Sequence, residues 1–214
     1  MAWSFWQQQN KLRIDLPYHP LNQVGPQATK FLQDYLNAQD SQAPSNSTAL
    51  PSQSWTPPNP NSFKANFDGV VFNSSNLAGI GVIIRDSNGE VIAAMSKRIR
   101  LPTTVMEVEI LACRRAVTFA IEVGIQDIIF EGDSLTVIRA INSGGTSEAP
   151  YGNLIEEILV SVSSFSSVVF EHVKRTCNRV ADALAKKAKF GDVFQAWMED
   201  LPPDIAPLAM LDVH

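Results

Sequence analysis

The sequence predicts an α/β domain with a mixed five-stranded sheet, three antiparallel strands followed by β-α-α-β-α, flanked by helices. Three runs carry alternating or continuously apolar strand patterns: FKANFDGVVF (63–72), AGIGVIIRD (78–86) and EVIAAMSKRI (90–99). Only Ser74-Ser75-Asn76 and Ser87-Asn88-Gly89 separate them, and turns that short make an antiparallel meander. Beyond residue 104 the period lengthens to that of helices alternating with short apolar strands.

VMEVEILACRRAVTFAIEVG (105–124) is a long helix with Gly124 as its C-terminal stop. DIIFEG (127–132) is short and apolar enough for a central strand, and DSLTVIRAIN (133–142) is a helix opened by a capping-type residue. YGNLIEEILVSV (151–162) is a further helix, SSVVFEHV (166–173) a strand, and NRVADALAKKAKF (178–190) an amphipathic helix. Ahead of this body, 1–38 holds one helical pattern, GPQATKFLQDYLNAQ, and 39–62 is a Ser/Pro-rich linker with little apolar content. The expected organisation is therefore 1–38, 39–62, a folded domain at 63–190, and an acidic, Pro-broken, irregular tail at 191–214.

Charge is unevenly placed. The net charge is −5. Residues 1–62 carry three charges of each sign and residues 63–190 fourteen of each, so the excess belongs to Asp192, Glu199, Asp200, Asp204 and Asp212 of the tail. A uniformly basic nucleic-acid module is excluded, but Lys174, Arg175, Arg179, Lys186, Lys187 and Lys189 surround a single acid, Asp182. Such a stretch is either a solvated helix face or a phosphate-binding face. The tail, repelled by phosphate, is expected to be dispensable. No apolar run is long enough to span a membrane. Two cysteines argue against a disulfide scaffold and for a reducing, intracellular compartment, nucleus or cytoplasm.

Four acids stand apart by position. Asp68 lies within a strand, where Asp is depleted, and shares a face with Lys64 and Asn66. Glu109 borders the small-residue helix face Ala112, Cys113 and Ala116, which can approach a sheet closely. Asp133 follows the central strand, and Asp182 lies one turn into the last helix. Each has an ordinary alternative: a helix cap for Asp133, an i,i+4 partner of Lys186 for Asp182, a surface glutamate for Glu109. As a set on four elements they would repel one another unless cations bind them, and hard oxygen ligands suit Mg²⁺ or Mn²⁺.

NFDG (66–69), AGIGVIIRDSNGEVI (78–92), VEILACRRAV (108–117), FEGDSLTVIRAIN (130–142) and FEHVKRTCNRVADALAKKA (170–188) together resemble the plant RNase H-like domain of non-LTR retrotransposon reverse transcriptases. Residues 1–62, with Trp55-Thr56-Pro57-Pro58, resemble the segment that precedes such domains. The resemblance implies an RNase H-like fold and endonucleolytic hydrolysis of the RNA strand of RNA–DNA hybrids by a monomer. It also implies two Mg²⁺ ions, replaceable by Mn²⁺, on Asp68, Glu109, Asp133 and Asp182. Glu107 competes with Glu109, but it lies about 200° away around the helix, so both cannot face one site. The Ala112–Ala116 face and the motif register favour Glu109. Two metals about 4 Å apart can clamp a phosphate, activate water and stabilise the leaving oxygen.

Gly69 and Ser134 are candidates for backbone contacts to 2′-hydroxyls, and Lys174, Arg175, Lys186 and Lys187 for phosphate contacts. The chain departs from many RNases H in two ways. The loop Lys174–Asn178 has no histidine, His172 falling earlier on the final strand, and no basic helical protrusion is present. These departures keep a second function in view, a catalytically weak or inactive nucleic-acid-binding module, and a third, a folded remnant.

Overall fold

The structure, a computed structural model, describes residues 54–144 and 151–212. The helix expected near 25–39 and most of the 39–62 segment lie outside them. The meander forms as β1 (Phe63–Phe72), β2 (Leu77–Arg85) and β3 (Val91–Arg100). Helix α1 (Val105–Val123) starts on a capping box: the Thr104 hydroxyl accepts from the Glu107 amide at 3.1 Å, and Glu107 accepts from the Thr104 amide at 2.9 Å. It stops at Gly124, whose φ of 85° only glycine adopts without strain. Next come β4 (Asp127–Gly132), α2 (Leu135–Asn142), α3 (Gly152–Ser161), β5 (Ser167–His172) and α4 (Arg179–Lys187).

The tail departs from expectation. Instead of being irregular it supplies β6 (Phe194–Met198) and α5 (Ala206–Asp212). The sheet has six strands rather than five, in the order β5-β4-β1-β2-β3-β6, with β1, β4 and β5 parallel and the other pairings antiparallel. β6 is only five residues long and is followed by Pro202-Pro203, so its period is too short to stand out in sequence. It is fixed by tertiary pairing, Ala94 opposite Trp197. Described residues before 63 also join the body: Trp55 is 3% exposed. One aromatic anchors residues 54–62, whose composition reads as linker.

Apolar residues divide between the two faces of the sheet. One face, with Ala65, Phe67, Val82 and Ile84, packs against α1, α2 and α3. The other, with Ile83 and Ala94, packs against Val180, Ala181 and Leu184 of α4 and against Leu201, Ile205 and Ala209 of the tail. Helix α4 lies almost on the backbone of β2. A Cβ at Gly81 would collide with the Ala181 carbonyl, and one at Gly79 with that of Ala185. The glycines of AGIGV therefore set the depth at which α4, and Asp182 with it, sits on the sheet. Among the described residues no helix is long and apolar enough to cross a membrane.

Candidate active site

β1 and β4 run side by side in the same direction, with Asn66 opposite Glu131. Side chains two residues on, Asp68 and Asp133, leave that same end of the sheet. Asp68 is 2% exposed. Glu109 reaches the same place from the second turn of α1, which approaches β1 at Gly69. A Cβ there would lie 2.8 Å from Val108 Cγ1 and 3.1 Å from the Val108 carbonyl oxygen. The Gly69 amide in turn donates to the Glu109 carboxylate. One oxygen each from Asp68, Glu109 and Asp133 lies within 4.8 Å of the other two.

Asp182, expected as the fourth member, is not one of the three whose oxygens meet within that distance. Its Oδ2 is drawn to Lys186 Nζ at 2.6 Å, the i,i+4 pairing that was its ordinary alternative. It stays close enough for its charge to raise the pKa of both Asp68 and Glu109. Glu107 is held in the capping box, which leaves Glu109 as the glutamate of the cluster. Asp133 is not the cap of α2; Ser134 occupies that position, without a side-chain cap bond.

Burial pushes the Asp68 carboxyl up to about 9, helped by the charges of Glu109, Asp133 and Asp182 and opposed by Arg175. Burial likewise raises Glu109 to about 8, with Asp133 adding and the Gly69 amide and Arg175 opposing. Asp68 Oδ2, Asp182 Oδ1 and Asn178 Oδ1 are buried without a hydrogen-bond partner. All three are oxygen acceptors, and an acceptor-rich pocket of carboxylates fits a hard divalent cation. At pH 7 Asp68 and Glu109 are protonated in the metal-free protein, whereas ligand oxygens must be deprotonated. Titration of Mg²⁺ or Mn²⁺ at pH 7 is therefore expected to release up to about two protons, falling towards none above pH 9. Calorimetry in buffers of different ionisation enthalpy reads this; ion binding without proton release at pH 7 contradicts it.

The cationic candidates are differently disposed. Arg175 is 80% exposed and its Nε lies 3.6 Å from Asp133 Oδ2. His172 is on β5, its Nε2 3.2 Å from the Asp133 carbonyl oxygen. Lys186 is engaged by Asp182, and Lys187 donates to both carboxylate oxygens of Asp204 at 3.0 and 3.1 Å. The acidic tail thus neutralises part of the basic stretch by direct contact. Gly69 and Ser134 flank the cluster, following Asp68 and Asp133 in the chain, and Lys174 opens the turn that carries Arg175.

Sequence reasoning missed Asn178. It is 1% exposed, and its Nδ2 donates to the Phe67 carbonyl at 2.9 Å and approaches Asp68 Oδ1 at 3.5 Å. It ties the start of α4 to β1 beside the carboxylates. Its place one turn before Asp182 was the available signal. Also missed was Glu131, which shares a strand face with Asp133.

A buried carboxylate cluster at one end of a six-stranded α/β sheet is the architecture of an RNase H-like domain. The chain belongs to the reverse transcriptase-like family, whose model matches residues 66–188. Among solved structures it is similar to RNase H1 from the archaeon Halobacterium salinarum, with 26% identity and a TM-score of 0.54 over 59% of this chain and 96% of that one. An RNase H1 isolated from compost by a metagenomic approach gives 26% and 0.53 over 60% and 95%. The compost enzyme in complex with an RNA/DNA hybrid gives 23% and 0.51 over 58% and 94%. Among curated proteins there is no match.

Proposed function

We propose that this protein is a metal-dependent ribonuclease that hydrolyses the RNA strand of RNA–DNA hybrids. The observation that carries the reading is the set Asp68, Glu109 and Asp133, delivered by three different elements to within 4.8 Å. The likeness to RNase H1 structures supports it, one of them in complex with a hybrid. Asp68, Glu109 and Asp133 would hold Mg²⁺, two ions in all, with Asp182 as fourth ligand and Mn²⁺ as a substitute. Bound divalent metal supplies an activated water and charge stabilisation at the scissile phosphate. The chain's own part is positional: β1 and β4 fix two carboxylates side by side, and the Gly69 amide orients the third. The exposed Arg175, with Lys174 and the backbone at Gly69 and Ser134, lies where a phosphate or 2′-hydroxyl would be met.

A monomer derived from a plant non-LTR retrotransposon and acting in nucleus or cytoplasm completes the proposal. The pairing of Asp182 with Lys186 favours a second reading, a binding module that holds hybrid and cleaves it weakly. A labelled RNA–DNA hybrid incubated with the purified protein separates the two. RNA-strand products that require Mg²⁺ or Mn²⁺ support the enzyme. Binding without metal-dependent products, equal to Asp68→Asn, supports the module and overturns the enzyme.

A further inference from the structure

A second cluster of polar side chains is buried one pleat repeat below the carboxylates, on the α4 face of the sheet. Its hub is Glu131, 2% exposed. Glu131 Oε1 pairs with Lys64 Nζ at 2.6 Å, and Oε2 accepts from Asn66 Nδ2 at 2.8 Å and from Trp55 Nε1 at 3.0 Å. Asn66 Oδ1 accepts from Arg85 at 3.0 Å, and Arg85 donates to Asp212 Oδ2 at 3.1 Å. Asp212 Oδ1 accepts from Arg179 at 3.3 Å. The Arg85 guanidinium lies 3.4 Å from the centre of the Trp55 ring.

Stability alone does not account for this arrangement. Taking paired charges out of water costs about as much as their attraction returns, and apolar side chains of the same shape serve a core as well or better. Arg85 Nε is even left without a partner. What the network has that an apolar core lacks is direction. Asn66 stands two residues before Asp68 on β1, Glu131 two before Asp133 on β4, and Arg179 three before Asp182 on α4. Each of these elements carrying a candidate ligand is therefore held, one repeat upstream, by a hydrogen bond of fixed geometry.

We propose that the Trp55–Glu131–Asn66–Arg85–Asp212–Arg179 network is the positioning scaffold of the carboxylate site, setting the relative register of β1, β4 and α4. The inference rests on reading Asp68, Glu109 and Asp133 as a metal site. The six act as positioning residues, and their loss acts on the geometry of the ligands rather than on hybrid binding.

Three variants of the full chain test this with Mn²⁺ as the probe, its affinity measured by electron paramagnetic resonance and folding by near-ultraviolet circular dichroism. Glu131→Gln keeps the shape and removes the charge and one acceptor. Trp55→Phe keeps an aromatic ring beside Arg85 but removes the N–H together with part of the indole, and Ile158→Val controls for the packing lost with it. Ile158→Val, in the opposite core, loosens packing without touching the network. Glu131→Gln is expected to weaken Mn²⁺ binding about 10-fold and Trp55→Phe about 3-fold, in the range of other outer-shell losses. In both, kcat on hybrid falls while KM stays constant, and Ile158→Val lowers only the melting temperature. Trp55→Phe and Glu131→Gln proteins that melt lower yet bind Mn²⁺ within twofold of wild type overturn the scaffold. A wild-type protein that binds Mn²⁺ through Asp68 but cleaves nothing overturns the ribonuclease reading and leaves the scaffold standing. No Asp68-dependent Mn²⁺ binding at all overturns the metal site and the scaffold together.

Discussion

Deletion of residues 191–214 is expected to abolish cooperative folding, the reverse of what the charge of this tail suggests. The deletion removes β6 from the edge of β3 and takes Leu201, Ile205 and Ala209 out of the core under α4. Fully burying apolar side chains of leucine and isoleucine size contributes about 1.5–3 kcal/mol each. It also strips Asp212 from Arg85, a guanidinium 0% exposed in the folded domain. Leaving one partner of a buried pair unmatched costs about 3–5 kcal/mol. Together these losses are comparable with the roughly 5–15 kcal/mol that holds an ordinary domain together. A truncated protein with no cooperative melt is the expected result. One that melts within a few degrees of the full chain would show that β6 and α5 rest on the domain without supporting it. Asp212→Asn, which keeps a hydrogen-bonding group but not the charge, is expected to fall between the two.

Asp68→Asn should divide stability from activity. In the metal-free protein the Asp68 carboxyl is pushed up to about 9, chiefly by burial and then by Glu109, Asp133 and Asp182. A carboxyl whose pKa is raised on folding stabilises the native state fully below its unfolded pKa, near 4. That contribution declines as pH rises and is gone above about 9. The metal-free wild-type protein is therefore expected to lose stability steadily between pH 5 and pH 9. The amide has no proton to lose, so Asp68→Asn removes the Asp68 part of this slope. At pH 9 it should gain at least about 1 kcal/mol over wild type, which for a domain of this size raises the melting temperature by roughly 2–4 °C. The same change takes a charged oxygen from the candidate metal site and is expected to lower cleavage by a factor on the order of 10³ or more. Melting curves in chelator across this pH range check the first half and the hybrid assay the second. A variant less stable than wild type at pH 9 would mean that Asp68 is ionised and satisfied without metal.

The meander, the long helix and the βααβα order were legible because each rests on a local period or turn: Ser87-Asn88-Gly89 closes a hairpin wherever it occurs between strands. Asp68 stood out because it is a carboxylate inside a strand, whereas Glu109 and Asp133, each with an ordinary local reading, were legible only as members of a set of acids on separate elements. What stayed hidden depends on distant partners. Phe194–Met198 is a strand only because β3 offers an edge, and Trp55 is a core residue only because Arg85 lies beneath its ring. The pairing of Asp182 with Lys186 was open in the sequence, since an i,i+4 lysine was its ordinary alternative. The tail acids read as surplus charge because a charge count cannot show that Asp204 and Asp212 already have cationic partners.

The bond between Arg85 and Asp212 spans 127 residues of chain. A ribosome adds roughly 5–20 residues per second, so between the emergence of the one and of the other lie about 6–25 s. Through that interval β2 carries a guanidinium whose native counter-charge has not yet been made. The meander can begin to pair, but sealing its α4 face would strand a cation away from water. Completion of the domain is thus deferred until the segment bearing Asp212 has left the exit tunnel. During translation the apolar side chains of that face, Ile83 and Ala94 among them, wait uncovered. A nascent chain of this design is one on which a ribosome-associated chaperone has time to act.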